Sequence, residues 1–443
     1  MALSLDSALS DPRPATSASW TAQGIFTVVF LGIAAGLQMA DVGLQAVSLA
    51  AIQASFGVSD TALGALQGLA GILIASALAI PLARFADRYS RKRVLLCLIA
   101  VSSALMCLSA VAREFPLFFI GRAAAGITEF AMVPLVYSLI PDLAPERHRV
   151  SANLGFAALM AAGASGGFYF SDILLSTAGT LFAWPAEPWR KAFLLLGMAG
   201  LPLLLLGTLT ANPIRHLGMD DRETQGSLLA FLRLRWQAIG LFVGTAGCLI
   251  TAVQALNQLI ALSLQRQFGA ATGDIGQAMG LIILLTSVGC LPVAGLLDRK
   301  LAGRFGRAVR PLIMGISVIA AIPALFVLTA LRTLDQAFVA VGLFLFMTCT
   351  ANALVPTMLQ DLAPASLRAR CFAIWSFVVS LFGAAGPLLA GALSEWVFDH
   401  HLLGAIVTVA LPALAVSALC ALGSVHMARR HRNRRALAGE GPQ

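Results

Sequence analysis

Twelve apolar runs, each long enough to cross a bilayer, leave this chain little choice but a membrane fold. They fall at 22–49, 61–83, 94–112, 116–140, 150–171, 190–212, 236–264, 273–297, 311–331, 336–359, 369–397 and 402–427. About 20 apolar residues suffice to span the hydrocarbon core as a helix. With 58% hydrophobic and 12% charged residues, the composition lies far from soluble domains, in which roughly a quarter of residues are charged. Backbone groups find no water in lipid, so such runs satisfy one another as helices. The expectation is an all-α membrane protein of twelve transmembrane helices. The polar interval 213–235 divides them six and six, giving an N-terminal bundle at 22–212 and a C-terminal bundle at 236–428. A polar tail at 1–21 and a basic tail at 429–443 flank them. The opening residues lack the apolar core of a signal peptide, so the first span is expected to stay uncleaved.

Charge sets the orientation. With the N-terminus in the cytoplasm, 24 of the 30 Lys and Arg fall in cytoplasmic segments and 5 outside, with Arg122 the remaining one. That asymmetry is the positive-inside pattern and places both termini in the cytoplasm. The net charge of +9 therefore reads as topology and as contact with anionic lipid heads, not as nucleic-acid binding. All 7 cysteines lie in apolar runs without metal-ligand spacing and read as small core residues.

The halves repeat one another. Asp87-Arg88 after the second span is answered by Asp298-Arg299 after the eighth. Asp142-Leu143-Ala144-Pro145 after the fourth is answered by Asp361-Leu362-Ala363-Pro364 after the tenth. Parallel repeats of this kind belong to transporters whose site lies at the interface between halves. The loop Ala83-Arg84-Phe85-Ala86-Asp87-Arg88-Tyr89-Ser90-Arg91-Lys92-Arg93 resembles the signature loop of the major facilitator superfamily. Within that superfamily the chain resembles the spinster lipid transporters, which share an Asp in the first span, here Asp41, and an Arg-x-x-x-Gly-x-x-Glu face on the fourth, here Arg122, Gly126 and Glu129. Ala83 and Ser90 stand where the loop signature has Gly, and Val42 follows Asp41 where a basic residue is usual. The resemblance implies the two-bundle major facilitator fold and a loop that latches the halves at the cytoplasmic face. Asp87, Arg88, Arg91, Asp298 and Arg299 are the gate residues this implies. The helix facing that loop would begin near Arg368–Cys371.

Buried charge marks the candidate site. A charge at the bilayer centre costs on the order of 2.5–3.5 kcal/mol and points to function by default. Arg122, Gly126, Glu129 and Val133 recur at spacings that put them on one helical face. Asp41 and Arg122 lie at similar depth below the outer surface and can neutralise each other. Glu129 is about 10.5 Å further along its helix, near the midplane and without an evident cation. Asp41 and Glu129 are the expected proton carriers, and Arg122 the expected anion holder. Neutral partners are expected at Gln254, Asn257, Gln258, Asn352 and Trp375 in the C-terminal half, which has no buried charge. A charged half facing an apolar one suits a substrate with a polar head and an apolar tail.

The expected function is thus a proton-coupled secondary transporter of an amphiphilic, lysolipid-like molecule, acting as a monomer in the inner or plasma membrane. Protons are the coupling ion and no other cofactor is expected. The alternatives are an organic-anion or drug transporter of the same fold, and a lipid sensor that does not transport. Enzymatic activity is not expected. Gly163-Ala164-Ser165-Gly166-Gly167 matches a hydrolase nucleophile elbow, but it lies within a span and the 6 histidines sit at loops or span ends. Its small residues suit close helix packing instead. A phosphate-binding loop for ATP is also missing from the sequence.

Overall fold

The computed structural model describes residues 20–74, 76–77, 89–145, 148–211, 228–364 and 367–437. The N-terminal half contains α1 (Ala22–Val47), α2 (Leu49–Phe56) and α3 (Asp60–Ala65), the last continuing as a π-helical stretch over Leu66–Ile74. It goes on through α4 (Arg91–Val111), α5 (Phe115–Leu143), α6 (Arg149–Tyr169), α7 (Ser171–Leu181), α8 (Pro188–Met198) and α9 (Gly200–Gly207). After the short α10 (Leu228–Leu234), the C-terminal half contains α11 (Trp236–Phe268), α12 (Thr272–Phe305), α13 (Val309–Ala330) and α14 (Leu334–Asn352). It closes with α15 (Val355–Leu362), α16 (Arg368–Trp396) and α17 (Leu402–Leu437).

Among the described residues, ten helices are long and apolar enough to cross a membrane. The pair α6–α7, bent by 65° at its junction, makes an eleventh. α3 and its π stretch stand where the second expected span begins. The chain is an all-helical, multi-pass integral membrane protein. Three details differ from the sequence expectation. α7 turns sharply off the end of α6 instead of ending in a loop. α10, built on Leu228-Leu229-Ala230-Phe231, occupies part of the interval 213–235 expected to be loop. α17 runs on to Leu437, into the basic tail, because Ala and Arg are good helix formers.

Local chemistry sets the helix ends. Thr21 Oγ1 accepts from the Gly24 amide at 3.1 Å, and Ser59 Oγ from the Ala62 amide at 3.3 Å, each satisfying an orphan donor of a first turn. Gly57 and Gly269 end α2 and α11 in the left-handed conformation, φ 63° and 62°.

Small residues set how closely the helices pack. α1 and α6 touch backbone to backbone. A Cβ on Gly163 would strike the Gly36 backbone, one on Gly167 the Ala40 backbone, and one on Gly43 would lie 2.8 Å from the Phe168 amide nitrogen. The expected packing role of the Gly163–Gly167 stretch is met in this seam. Taking the arginine-poor loops as the outer side, two further seams join the halves there. α3 and its π stretch meet α16, where Gly64 and Gly68 leave room for the Pro387 and Ala384 carbonyls. α6 meets α12, where Gly280 lies against Ser165 and Tyr169, and Ser165 Oγ donates to the Gly280 carbonyl at 2.7 Å.

At the opposite face each half carries its own ionic clasp. Arg91 Nη1 lies 2.6 Å from Asp142 Oδ2 in the N-terminal half. Arg310 pairs with Asp361 in the C-terminal half and lies 3.4 Å from Asp298. Both Arg–Asp pairs span 51 residues of sequence, a repeat of contact as well as of sequence.

Candidate functional site

Three buried charged side chains from α1 and α5 make the site. α5 starts at Phe115 with Pro116 in its first turn, where the missing N–H is harmless, and carries Arg122 and Glu129 inward. α1 carries Gln38, Asp41 and Gln45 on one face at spacings of three and four. Arg122 Nη1 meets Asp41 Oδ2 at 2.5 Å, the two side chains being 5% and 0% exposed. The guanidinium carbon also lies 5.3 Å from the centre of the Phe193 ring on α8, a cation–π distance. The contact is single-pronged: Arg122 Nε and Asp41 Oδ1 have no hydrogen-bond partner. The pair can therefore still engage an anionic group or a proton, which a bidentate bridge could not do without breaking.

Glu129 is 5% exposed and its Oε1 has no hydrogen-bond partner. A carboxyl taken out of water is costly while it is charged and unpaired.

A chain of amides runs from α1, one turn beyond Asp41, to the other half. Gln45 Nε2 donates to Gln67 Oε1 at 2.5 Å, and Gln67 Nε2 donates to the Gln258 carbonyl at 3.3 Å. Gln67 sits in the π stretch, and such stretches often mark functional positions. Of the expected C-terminal partners, Gln254, Asn257 and Gln258 are half-buried along α11, with Gln254 facing Gly383 of α16. Asn352 is exposed at the end of α14. Trp375 is 9% exposed and packs on Phe242, ring centres 4.8 Å apart, so its indole fills the α11–α16 contact. Among the expected gate residues, Arg91 and Asp298 enter the two clasps, Arg299 is exposed, and Asp87 and Arg88 lie outside the described residues. α16 begins at Arg368, where the helix facing that loop was expected.

Sequence reasoning missed Gln45 and Gln67, and it missed an outer ionic cluster around Asp60 and Arg266. The signals were present. Amides inside apolar runs are costly unless bonded, Ser59-Asp60 is an N-cap followed by a first-turn acid, and Arg266 is one of few basic residues outside.

Comparison with known proteins places this geometry. The sequence matches the Major Facilitator Superfamily over residues 31–387, and the chain belongs to that family. It is 26% identical over 417 residues to an MFS-type efflux pump of Mycolicibacterium smegmatis (strain ATCC 700084 / mc(2)155), covering 92% of this chain and 91% of the other. It is 27% identical over 453 residues to a gallate transporter of Pseudomonas putida, covering 94% of each. In fold it is similar to a bacterial homologue of the human lysosomal transporter spinster, solved inward-facing and unoccupied, with TM-score 0.75, 20% identity and coverage of 93% of this chain and 98% of that one. The protein is a transporter of this superfamily, not an enzyme, and resembles spinster in architecture.

Proposed function

We propose that the protein is a proton-coupled secondary transporter that carries an amphiphilic, lysolipid-like substrate by alternating access. The observation that carries this reading is a buried Asp41–Arg122 contact with spare bonding capacity, with Arg122 on the same helix face as Glu129, whose Oε1 has no hydrogen-bond partner. Arg122 holds the anionic head, and the uncharged α11 face at Gln254, Asn257 and Gln258 borders the rest of the molecule. Protons on Asp41 and Glu129 release Arg122 and bias the equilibrium between facing states. Twelve spans in two six-helix bundles, with both termini cytoplasmic, carry out the motion, and the Asp87-Arg88 loop latches the cytoplasmic side. Seams that join the halves at their outer ends fit a state closed to the outside.

A second reading has its own support. The gallate transporter's name supplies an aromatic carboxylate, which Arg122 could hold equally well with a smaller tail. Reconstituted vesicles with an imposed pH gradient decide between them. Gradient-driven flux of a lysophospholipid, without flux of gallate or similar acids, supports the lipid reading. The opposite preference overturns it, and binding without gradient-driven flux removes transport of both.

A further inference from the structure

The outer mouth holds another buried carboxylate, which the Asp41–Arg122–Glu129 site does not use. Asp60, the first residue of α3, is 1% exposed. Arg266 of α11 donates to it twice, Nη1 to Oδ2 at 2.9 Å and Nη2 to Oδ1 at 2.6 Å. Ser394 Oγ of α16 donates to Oδ2 at 2.7 Å, and Gln53 Nε2 of α2 to Oδ1 at 3.0 Å. His400 Nδ1, in the turn after α16, lies 3.4 Å from Oδ2. That turn holds Asp399 and His400 at φ 46° and 67°, a strained pair of non-glycine residues fixed by the His400 amide on the Ser394 carbonyl at 2.8 Å. Beside it, Thr61 donates through its amide and hydroxyl to Glu395 Oε2 at 3.2 and 2.5 Å. Gln53 apart, every partner of Asp60 named here comes from the other half. A carboxylate this dry is stable only while those partners stay in place.

We propose that Asp60 is the keystone of the outer gate, a positioning residue for transport whose bridge to Arg266 and Ser394 forms when the outer mouth closes and breaks when it opens. The proposal rests on the alternating-access reading above. Burial by itself pushes the Asp60 carboxyl up. The hydrogen bonds from Arg266, Ser394 and Gln53 and the Arg266 charge outweigh it, holding the group at about 2. A group held below its ordinary value favours the closed form at all pH above about 3.8, and that contribution fades as pH falls through about 2. The other ionisable groups facing Asp60 are Arg266 and His400, with Glu395 one residue away across Thr61. The bridge therefore stays ionic at neutral pH, and the driving proton acts elsewhere, against it.

The test uses the full chain with its 7 native cysteines replaced and spin labels at Trp184→Cys and Arg332→Cys, in outer loops of the two halves. Distances are read at pH 7 in Asp60→Asn, Arg266→Gln, the combination, and the milder Ser394→Ala. Each ionic variant is expected to raise the ratio of long to short outer distances tenfold or more. The combination should go no further than either, and Ser394→Ala should move the ratio about threefold. Distances that match the parent in well-folded variants overturn the proposal, as do effects of the two ionic variants that multiply. If Asp60→Asn fails to fold, Arg266→Gln and Ser394→Ala decide by the same criteria. Proton coupling is judged separately: a parent without gradient-driven flux removes that reading, while opened distances in Asp60→Asn would still establish the gate.

Discussion

Removing one member of the Asp41–Arg122 pair should be far more damaging than removing both. Arg122→Leu leaves a carboxylate with no exposed surface and no counter-charge, and Asp41→Asn leaves a guanidinium 5% exposed without its contacting carboxylate, against the Phe193 ring. Breaking a buried pair from one side costs about 3–5 kcal/mol, because the surviving charge stays desolvated. Replacing both members by neutral groups of similar volume is often nearly neutral. Each single variant should therefore lose about 3–5 kcal/mol of stability and the double variant about 1–2 kcal/mol. The coupling between the sites is then at least about 4 kcal/mol, many times the 0.5 kcal/mol within which independent sites add. Unfolding of the purified protein in mixed micelles of rising dodecyl sulfate fraction, followed by tryptophan fluorescence, gives the three numbers. All three variants should lose gradient-driven transport. Single losses below about 1 kcal/mol, or a double loss equal to the sum of the singles, would mean that water reaches the pair. The argument from a dry site would then fail.

Glu129→Gln should fold and bind substrate, while its balance of facing states stops following pH over part of the parent's range. A variant that tracks pH like the parent reduces Glu129 to packing. Gly167→Val puts a side chain into the Ala40 backbone and should destabilise the N-terminal half by about 1–3 kcal/mol, measurable in the same micelle titration. Gly280→Val sets a Cβ 2.7 Å from the Ser165 carbonyl and the Tyr169 amide nitrogen, so the α6–α12 seam should open and outer-loop distances lengthen. Unchanged distances would show that this seam does not hold the outer mouth shut. Gln67→Leu breaks the amide chain to α11 and should lower transport with little loss of stability, as seen by comparing flux with unfolding.

The membrane fold was legible because length and hydropathy decide whether a segment enters a bilayer, and those are local properties of the chain. The Asp41–Arg122 contact was legible for a related reason: in lipid a charge must find a partner, and depth along two antiparallel spans narrows the choice. The outer cluster was not legible. Asp60, Arg266, Ser394 and His400 are unremarkable polar residues at span ends, where water makes polarity cheap. Only the meeting of one half with the other brings them together and buries Asp60 and Ser394. The π stretch at Leu66–Ile74 and the 65° turn into α7 escaped for a different reason, since both depend on packing partners that a single helix's periodicity does not record. Trp375 was expected among the neutral partners of the C-terminal half, and its packing partner could not be read from its span position. Its ring is taken up by Phe242.

Among the described residues, every buried Asp, Glu, Lys or Arg (Asp41, Asp60, Arg122, Glu129 and Arg190) belongs to the N-terminal half. This one-sidedness has an electrical meaning. One elementary charge moved across the full membrane field is worth about 2.3 kcal/mol per 100 mV. Voltage can act only on charge that lies within that field. If the two halves rock past each other, the deeply placed side chains of Asp41, Arg122 and Glu129 move with the N-terminal half, and the C-terminal half brings Arg266 to the outer ionic bridge. Any voltage dependence of the transport cycle should therefore be written chiefly in α1 and α5, and should survive polar substitution along α11 and α16 away from Arg266.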